Sequence, residues 1–348
     1  MASSKDEFSM EDSVGTIILF QKGQAEVASC MRLITKLDES SSTTITHGYD
    51  TSDFDTASNL IMGKLVVHKQ RMTLPSAKYV PLPLRHLKAI GWFNIRLPSD
   101  RFACSSCGIV FLPGGCIAVA DKENKNIKLY KEDGDFLDAI DLSGKPCELC
   151  RVDNCTVAAI VSTGTINVFK VSNSKLSLTS SIKVDITAGT KCHGITCCND
   201  AFVVGTSTSL FYVRQNGRKE HIHKIGSSCL HLASDQRSGN IFFSLEGNMP
   251  NWPAVSRLYS RTITNILPTG TLKEARGIDV DREKNVYVCG FVSNNVIQMS
   301  QDGSHVRELL TSSDGINKPR AISVWEDKVV ITNQSPNQRN TVKLFRLV

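Results

Sequence analysis

From about position 106 to the C-terminus, apolar runs too short for helices alternate with turns rich in Asp, Asn, Gly and Ser. The clearest unit begins with the alternating run Arg276-Gly277-Ile278-Asp279-Val280. The turn Asp281-Arg282-Glu283-Lys284-Asn285 follows, then the apolar run Val286-Tyr287-Val288-Cys289. After the loop Ser293-Asn294-Asn295 comes Val296-Ile297-Gln298-Met299, and Gln301-Asp302-Gly303 turns into Val306-Arg307-Glu308-Leu309-Leu310. Four short strands in a period of roughly 40 residues predict one blade of a β-propeller, and a series of them predicts a closed ring.

The same register extends along the chain. One blade runs from Ile109 through Cys116–Asp121 and Ile127–Tyr130 to Phe136–Ile140. Thr156–Ile160 with Ile166–Phe169 marks a second, Ala201–Val204 with Leu210–Val213 a third, and Ile241–Ser244 with Ser256–Tyr259 a fourth. The fifth is the unit above. The sixth has Ala321–Val324, Lys328–Ile331 and Val342–Leu347, and there the chain stops one strand short. Gly91-Trp92-Phe93-Asn94-Ile95-Arg96-Leu97 is the expected donor of the missing strand, which would close the ring and remove its free edges. The predicted fold is all-β, a six-bladed propeller over 87–348.

Upstream, Thr16 to Leu37 reads as a short helix, with Phe20, Val27 and Ile34 at one heptad position and Gly23, Cys30 and Leu37 at the other. That is fewer heptads than a coiled coil needs, so dimerisation through this helix and a helix packed on itself both stay open. The Ser/Thr/Asp-rich stretch from Asp38 opens a linker, taken as 38–86.

The pattern Pro-x-x-Ile-x-Val, carried by Lys318-Pro319-Arg320-Ala321-Ile322-Ser323-Val324, together with the Asp281, Asn285 and Asn294-Asn295 positions of the fifth unit, resembles the NHL repeat. The second to fourth units are degenerate. The order of parts is similar to the C-terminal half of tripartite-motif NHL proteins, over about residues 87 to 348. The resemblance implies a propeller that docks proteins or, in some members, RNA stem-loops; some NHL propellers elsewhere are metal-dependent lyases. The N-terminus departs from that family: Cys30 stands alone before Cys104, so no RING or B-box zinc ladder precedes the propeller. The expectation is a recruiting relative of ubiquitin ligases rather than a ligase.

Composition adds little to this. No apolar run reaches the roughly 18 residues of a membrane span, and the start Met1-Ala2-Ser3-Ser4-Lys5-Asp6-Glu7 lacks a signal-peptide core. A cytoplasmic protein without membrane contact is expected. Twelve cysteines sit mostly in or beside apolar strands, where a free Cys acts as a small hydrophobe. Cys104/Cys107 and Cys147/Cys150 are spaced by the repeat period rather than as a zinc ribbon. His221 and His223 fall on one face of an outer strand. No nucleophile–base constellation or phosphate-cradling Gly loop is visible, so no catalysis, metal or cofactor is expected.

The register also sorts charge. Blade junctions carry Lys145, Lys191, Lys273, Arg276, Lys318 and Arg320 to one face, with Lys122, Lys125 and Arg339 from loops between second and third strands. The other face receives Glu132, Asp133, Asp153, Asp200, Asp235, Asp281, Glu283, Asp302, Glu326 and Asp327. A net charge of +6 thus conceals a basic face that would concentrate anionic partners. Cys107, Cys147, His193, Cys229, Arg276 and Arg320 align at the blade starts and should ring the channel mouth there. Trp252, between Pro250 and Pro253 in an extended loop of the fourth blade, reads as an anchor for a partner or as a ring folded over its own blade. Recognition of an acidic protein partner ranks first, RNA binding through the same face second.

Overall fold

The computed structural model describes residues 86–348, apart from 187–189, 247–254, 268–271 and 337, together with the backbone of three strands nearer the N-terminus. The chain divides into two compact units, Met1–Tyr79 and Val80–Val348.

In the first unit Val14–Leu19, Thr44–Gly48 and Gly63–His68 form an antiparallel sheet with the last strand in the middle. Thr16–Leu19, read from heptads as the start of a helix, is therefore strand. Thr16, Ile17 and Ile18 are consecutive β-branched residues, whose stiff side chains favour extended backbone. The rest of the predicted helix, and most of the predicted linker, lies outside the described residues.

The second unit is a ring of six four-stranded antiparallel blades. Their innermost strands are Ser106–Leu112, Pro146–Arg151, Cys192–Cys198, Cys229–Asp235, Ala275–Val280 and Pro319–Trp325. Each lies beside the next, and the sixth returns to the first. Burial follows radius: Ser106–Leu112 is buried throughout, whereas the outermost strand of that blade, Phe136–Asp141, is half-buried to exposed. Six apolar clusters fill the wedges between neighbouring blades, one per wedge. This explains why inner strands read as continuous apolar runs: both of their faces are covered.

The ring closes as expected but in a shifted register. Leu87–Asn94, not Gly91–Leu97, pairs with Thr341–Leu347 as the outer strand of the sixth blade, from Leu87 opposite Leu347 to Asn94 opposite Thr341. The longer C-terminal strand needs a partner of matching length, and Pro98, lacking an N–H, lies beyond it. Downstream of the closing strand the chain is pinned to the first blade. The ammonium of Lys128, wholly buried, donates to Asp100 Oδ2 (2.6 Å), Asp121 Oδ2 (2.9 Å) and the Ile95 carbonyl (3.2 Å). Tyr130 Oη donates to the same carbonyl at 2.7 Å.

Among the described residues the only helical element is the single turn Ser312–Asp314, and no helix is long and apolar enough to cross a membrane.

Candidate functional site

Every inner strand opens with a β-bulge, where its pairing with the second strand skips a residue. The skipped residues are Cys107, Cys147, His193, Leu230, Arg276 (with Gly277) and Arg320. A bulge re-aims its side chain out of the ladder; His193, Arg276 and Arg320 are half-buried there, whereas Cys107 and Leu230 are buried. The positions aligned by repeat coincide with the bulge in five blades and lie one residue off in the fourth. There Leu230 holds the position, and Cys229 is fully buried under its blade.

Around this mouth Lys122, Lys191, His193, Arg276 and Arg320 come within electrostatic reach of one another. Burial, and then Lys122, Lys191 and Arg276, hold His193 below its ordinary pKa against the opposing pull of Glu246. Arg320 is lowered by burial and by Arg276. Each arginine has one fixed partner: Arg276 Nη2 donates to Glu274 Oε1 at 2.6 Å and Arg320 Nη1 to Gln334 Oε1 at 2.7 Å. Among the described residues the buried Nε–H of both has no acceptor. Arg276 and Lys318 also lie over the ring of Phe291, at 5.3 and 5.9 Å. The remaining predicted cations stand apart. Lys145 pairs with Glu123 at 2.7 Å, and Lys125, Lys273 and Arg339 are exposed on outer loops. Trp252 lies outside the described residues.

Following Cys107, Cys147, His193, Leu230, Arg276 and Arg320 in the chain are Gly108, Glu148, Gly194, His231, Gly277 and Ala321. Here the inner strands approach closely: a Cβ on Gly108 would lie 2.5 Å from the Leu149 nitrogen, and one on Gly277 2.7 Å from the Ala321 Cα. The two large residues of this tier meet in its centre. Glu148 reaches past Gly194, accepts from the backbone N–H of Ile195 (2.6 Å) and Leu232 (3.3 Å), and bonds His231 Nδ1 at 2.8 Å. Burial pushes the Glu148 carboxyl well up and the His231 imidazole well down, the latter also opposed by Arg320 and Arg276. His231 is therefore neutral. This pair separates the basic mouth from the rest of the channel. Sequence reading missed it, because the two residues are 83 positions apart; the only local signal is a large polar residue where other blades carry Gly or Ala.

Beyond the pair the channel widens into a polar cavity of about 290 Å³, open towards the hairpins between first and second strands. Glu148, His231, Asp279, Arg151 and Trp325 are among the residues in its wall. Asp279 accepts from Val324 N (2.6 Å) and Val280 N (2.9 Å), satisfying N–H groups on the inward strand edges. At the rim two guanidinium groups contact one indole, Arg151 at 4.2 Å and Arg282 at 4.4 Å from the Trp325 centroid. The face read as acidic therefore has an arginine-rich mouth.

Among the described residues the one group with metal-ligand spacing is Asp100, Cys104 and Asp121. The Lys128 ammonium sits among these three, 3.4 Å from Cys104 Sγ, and supplies the charge a cation would bring. Cys104, Cys107 and Cys150 are buried, and burial raises the Cys107 thiol to about 12, so these are packing thiols. His221 and His223 both lie against Tyr212, with ring centroids 5.8 and 6.5 Å away.

No family model and no curated protein matches this chain. Solved structures do. A protein of unknown function from Bacteroides thetaiotaomicron superposes with a TM-score of 0.60 at 11% identity, covering 88% of this chain and 90% of its own. Virginiamycin B lyase from Staphylococcus aureus gives 0.53 at 10% identity, over 76% of this chain and 100% of its own. A luciferin-regenerating enzyme gives 0.54 at 10%, over 76% and 95%. At such identities the likeness is one of fold, and the fold shared is the β-propeller.

Proposed function

We propose that the chain is a non-catalytic binding scaffold that holds an acidic segment of a protein partner on the mouth formed by Lys122, Lys191, His193, Arg276 and Arg320. One observation carries this reading. Two arginines at equivalent bulges of adjacent blades keep a buried N–H without an acceptor, although each has a fixed partner on its other nitrogens. A buried donor left unmade costs about 1–3 kcal/mol. A carboxylate seated there would satisfy both donors with charge-assisted bonds. A role as the recruiting arm of tripartite-motif ubiquitin ligases rests on the resemblance of the repeats alone.

RNA is the second reading, since phosphates would meet the same cations. It is ranked lower because base recognition by single strands needs open aromatic faces, and Phe291 is covered by Arg276 and Lys318.

The test is fluorescence anisotropy of Glu/Asp-rich peptides and of a structured RNA pool at equal salt. Acidic peptides should bind, and Arg276→Glu with Arg320→Glu should weaken them at least about tenfold, or 1.4 kcal/mol. RNA binding should be sequence-blind and steeply salt-dependent. Peptide binding indifferent to the double reversal would overturn the proposal, and retention of a discrete RNA subset would transfer the site to RNA.

A further inference from the structure

The cavity on the far side of the Glu148–His231 pair has no part in the proposed binding of a partner, yet it has the features of a ligand site. Charged groups of both signs stand in its wall. Arg151 cannot swing away: its Nη1 donates to the Phe111 carbonyl at 3.0 Å and its plane lies against Trp325. Asp279 is held by two backbone N–H groups. Arg151 and Asp279 act on each other electrostatically, but among the described residues no ion pair joins them. Glu148 stands in the same wall, where Asp279 adds to burial in pushing its carboxyl up. His231, only 4% exposed, lines the same wall with its Nδ1 on Glu148 at 2.8 Å.

We propose that this cavity binds a free α-amino acid, its ammonium inward against Glu148 and Asp279 and its carboxylate outward against Arg151. A zwitterion matches the pattern as neither single charge does. A cation alone would meet the carboxyl groups and leave the Arg151 charge without a counter-ion; an anion alone would do the reverse. Size agrees. Ligand pockets usually span about 300–1,000 Å³, so a cavity of about 290 Å³ suits a molecule of amino-acid size rather than a nucleotide. Arg151 and Asp279 are already fixed by backbone bonds, so little side-chain freedom is lost on binding.

The test is isothermal titration calorimetry of the full chain with the twenty common amino acids, alongside N-acetyl amino acids, amino-acid amides, methylamine and acetate. At least one amino acid should bind with a Kd of about 1 mM or tighter, and every probe lacking one of the two charges at least about tenfold more weakly. Arg151→Gln and Asp279→Asn should each weaken binding by a similar factor, and Arg151→Lys by less. The proposal is overturned if no amino acid binds, if the single-charge probes bind equally well, or if folded Arg151 and Asp279 variants bind like the parent. The comparison of probes uses only the unaltered chain, so it decides the matter even where a variant fails to fold.

Discussion

Lys128 is a charge without water around it, and it stays charged because its three donors are matched. Burial alone would lower its pKa, but the hydrogen bonds it donates to Asp100 and Asp121 outweigh that and raise it. Asp121 is pulled the other way: burial would raise it, and bonds from Ser105 N, Asn124 and Lys128 lower it. A raised lysine contributes stability that is lost only as pH climbs through its folded value, above the ordinary ~10.4. A lowered aspartate contributes stability lost as pH falls below the ordinary ~3.9 towards its folded value. The cluster should therefore be level in strength across neutral pH. Lys128→Met, which leaves two buried carboxylates facing each other, should cost about 3–5 kcal/mol, measured by urea unfolding at pH 7. A loss under 1 kcal/mol would mean that water reaches the carboxylates. His193 supports a different prediction. It is neutral at pH 7, and an acidic partner on the mouth would raise its pKa and draw a proton in. Affinity for acidic peptides should therefore rise as pH drops from 7.5 to 5.5, by up to about tenfold for each unit that binding raises it, and His193→Gln should flatten the dependence.

The closing strand and the bulges show which elements can be read from sequence and which cannot. Val286-Tyr287-Val288-Cys289 and its counterparts are legible because a strand covered on both faces must be apolar wherever it lies. The need for a donor to complete the sixth blade is equally legible, since three strands leave an edge; its register is not, because that depends on the length of the partner. Lys128 was visible only as an oddity, a charge between Ile127 and Leu129 in a buried strand. Its partner Asp100 is 28 positions away in a stretch with no regular pattern. The glycines divide by the same logic. Gly108 allows the first two inner strands to meet, and Gly108→Ala, with its Cβ 2.5 Å from the Leu149 nitrogen, should cost about 1–3 kcal/mol. Gly91, in the exposed closing strand, would meet nothing within 4 Å, so Gly91→Ala should be neutral or gain up to about 0.4–1 kcal/mol through the unfolded chain. Melting temperatures of the two variants should move in opposite directions or not at all for Gly91→Ala. A shared fall would mean that the closing strand is packed more tightly than its exposure indicates.

At the scale of the whole molecule, a net charge of +6 is a poor guide to what the ring attracts, because charge is arranged by distance from the axis as well as by face. The basic mouth combines half-buried Arg276, Arg320 and His193 with exposed Lys191, while acids such as Glu274 and Glu123 are already committed to Arg276 and Lys145. On the opposite face the turn acids are spent on their own backbones: Asp281 accepts from Glu283 N and Asn285 N, Asp302 from Ser304 N. Charge used in this way shapes turns and adds little to long-range attraction, so the basic mouth should dominate the encounter with a charged chain. Attraction across water is screened over about 8 Å at physiological ionic strength and about 3 Å at 1 M. Contacts on desolvated donors survive better. Binding of an acidic peptide should therefore weaken steeply up to about 0.3 M salt, as Lys191 and the outer lysines are screened. It should then level off above zero, held by the buried Nε–H groups of Arg276 and Arg320. Anisotropy titrations of the parent and of Lys191→Ala across that range separate the two parts. Lys191→Ala should reduce the steep part and leave the plateau. A curve falling to zero with no plateau would show that the arginine donors take no part, and the mouth would then be a diffuse field rather than a binding site.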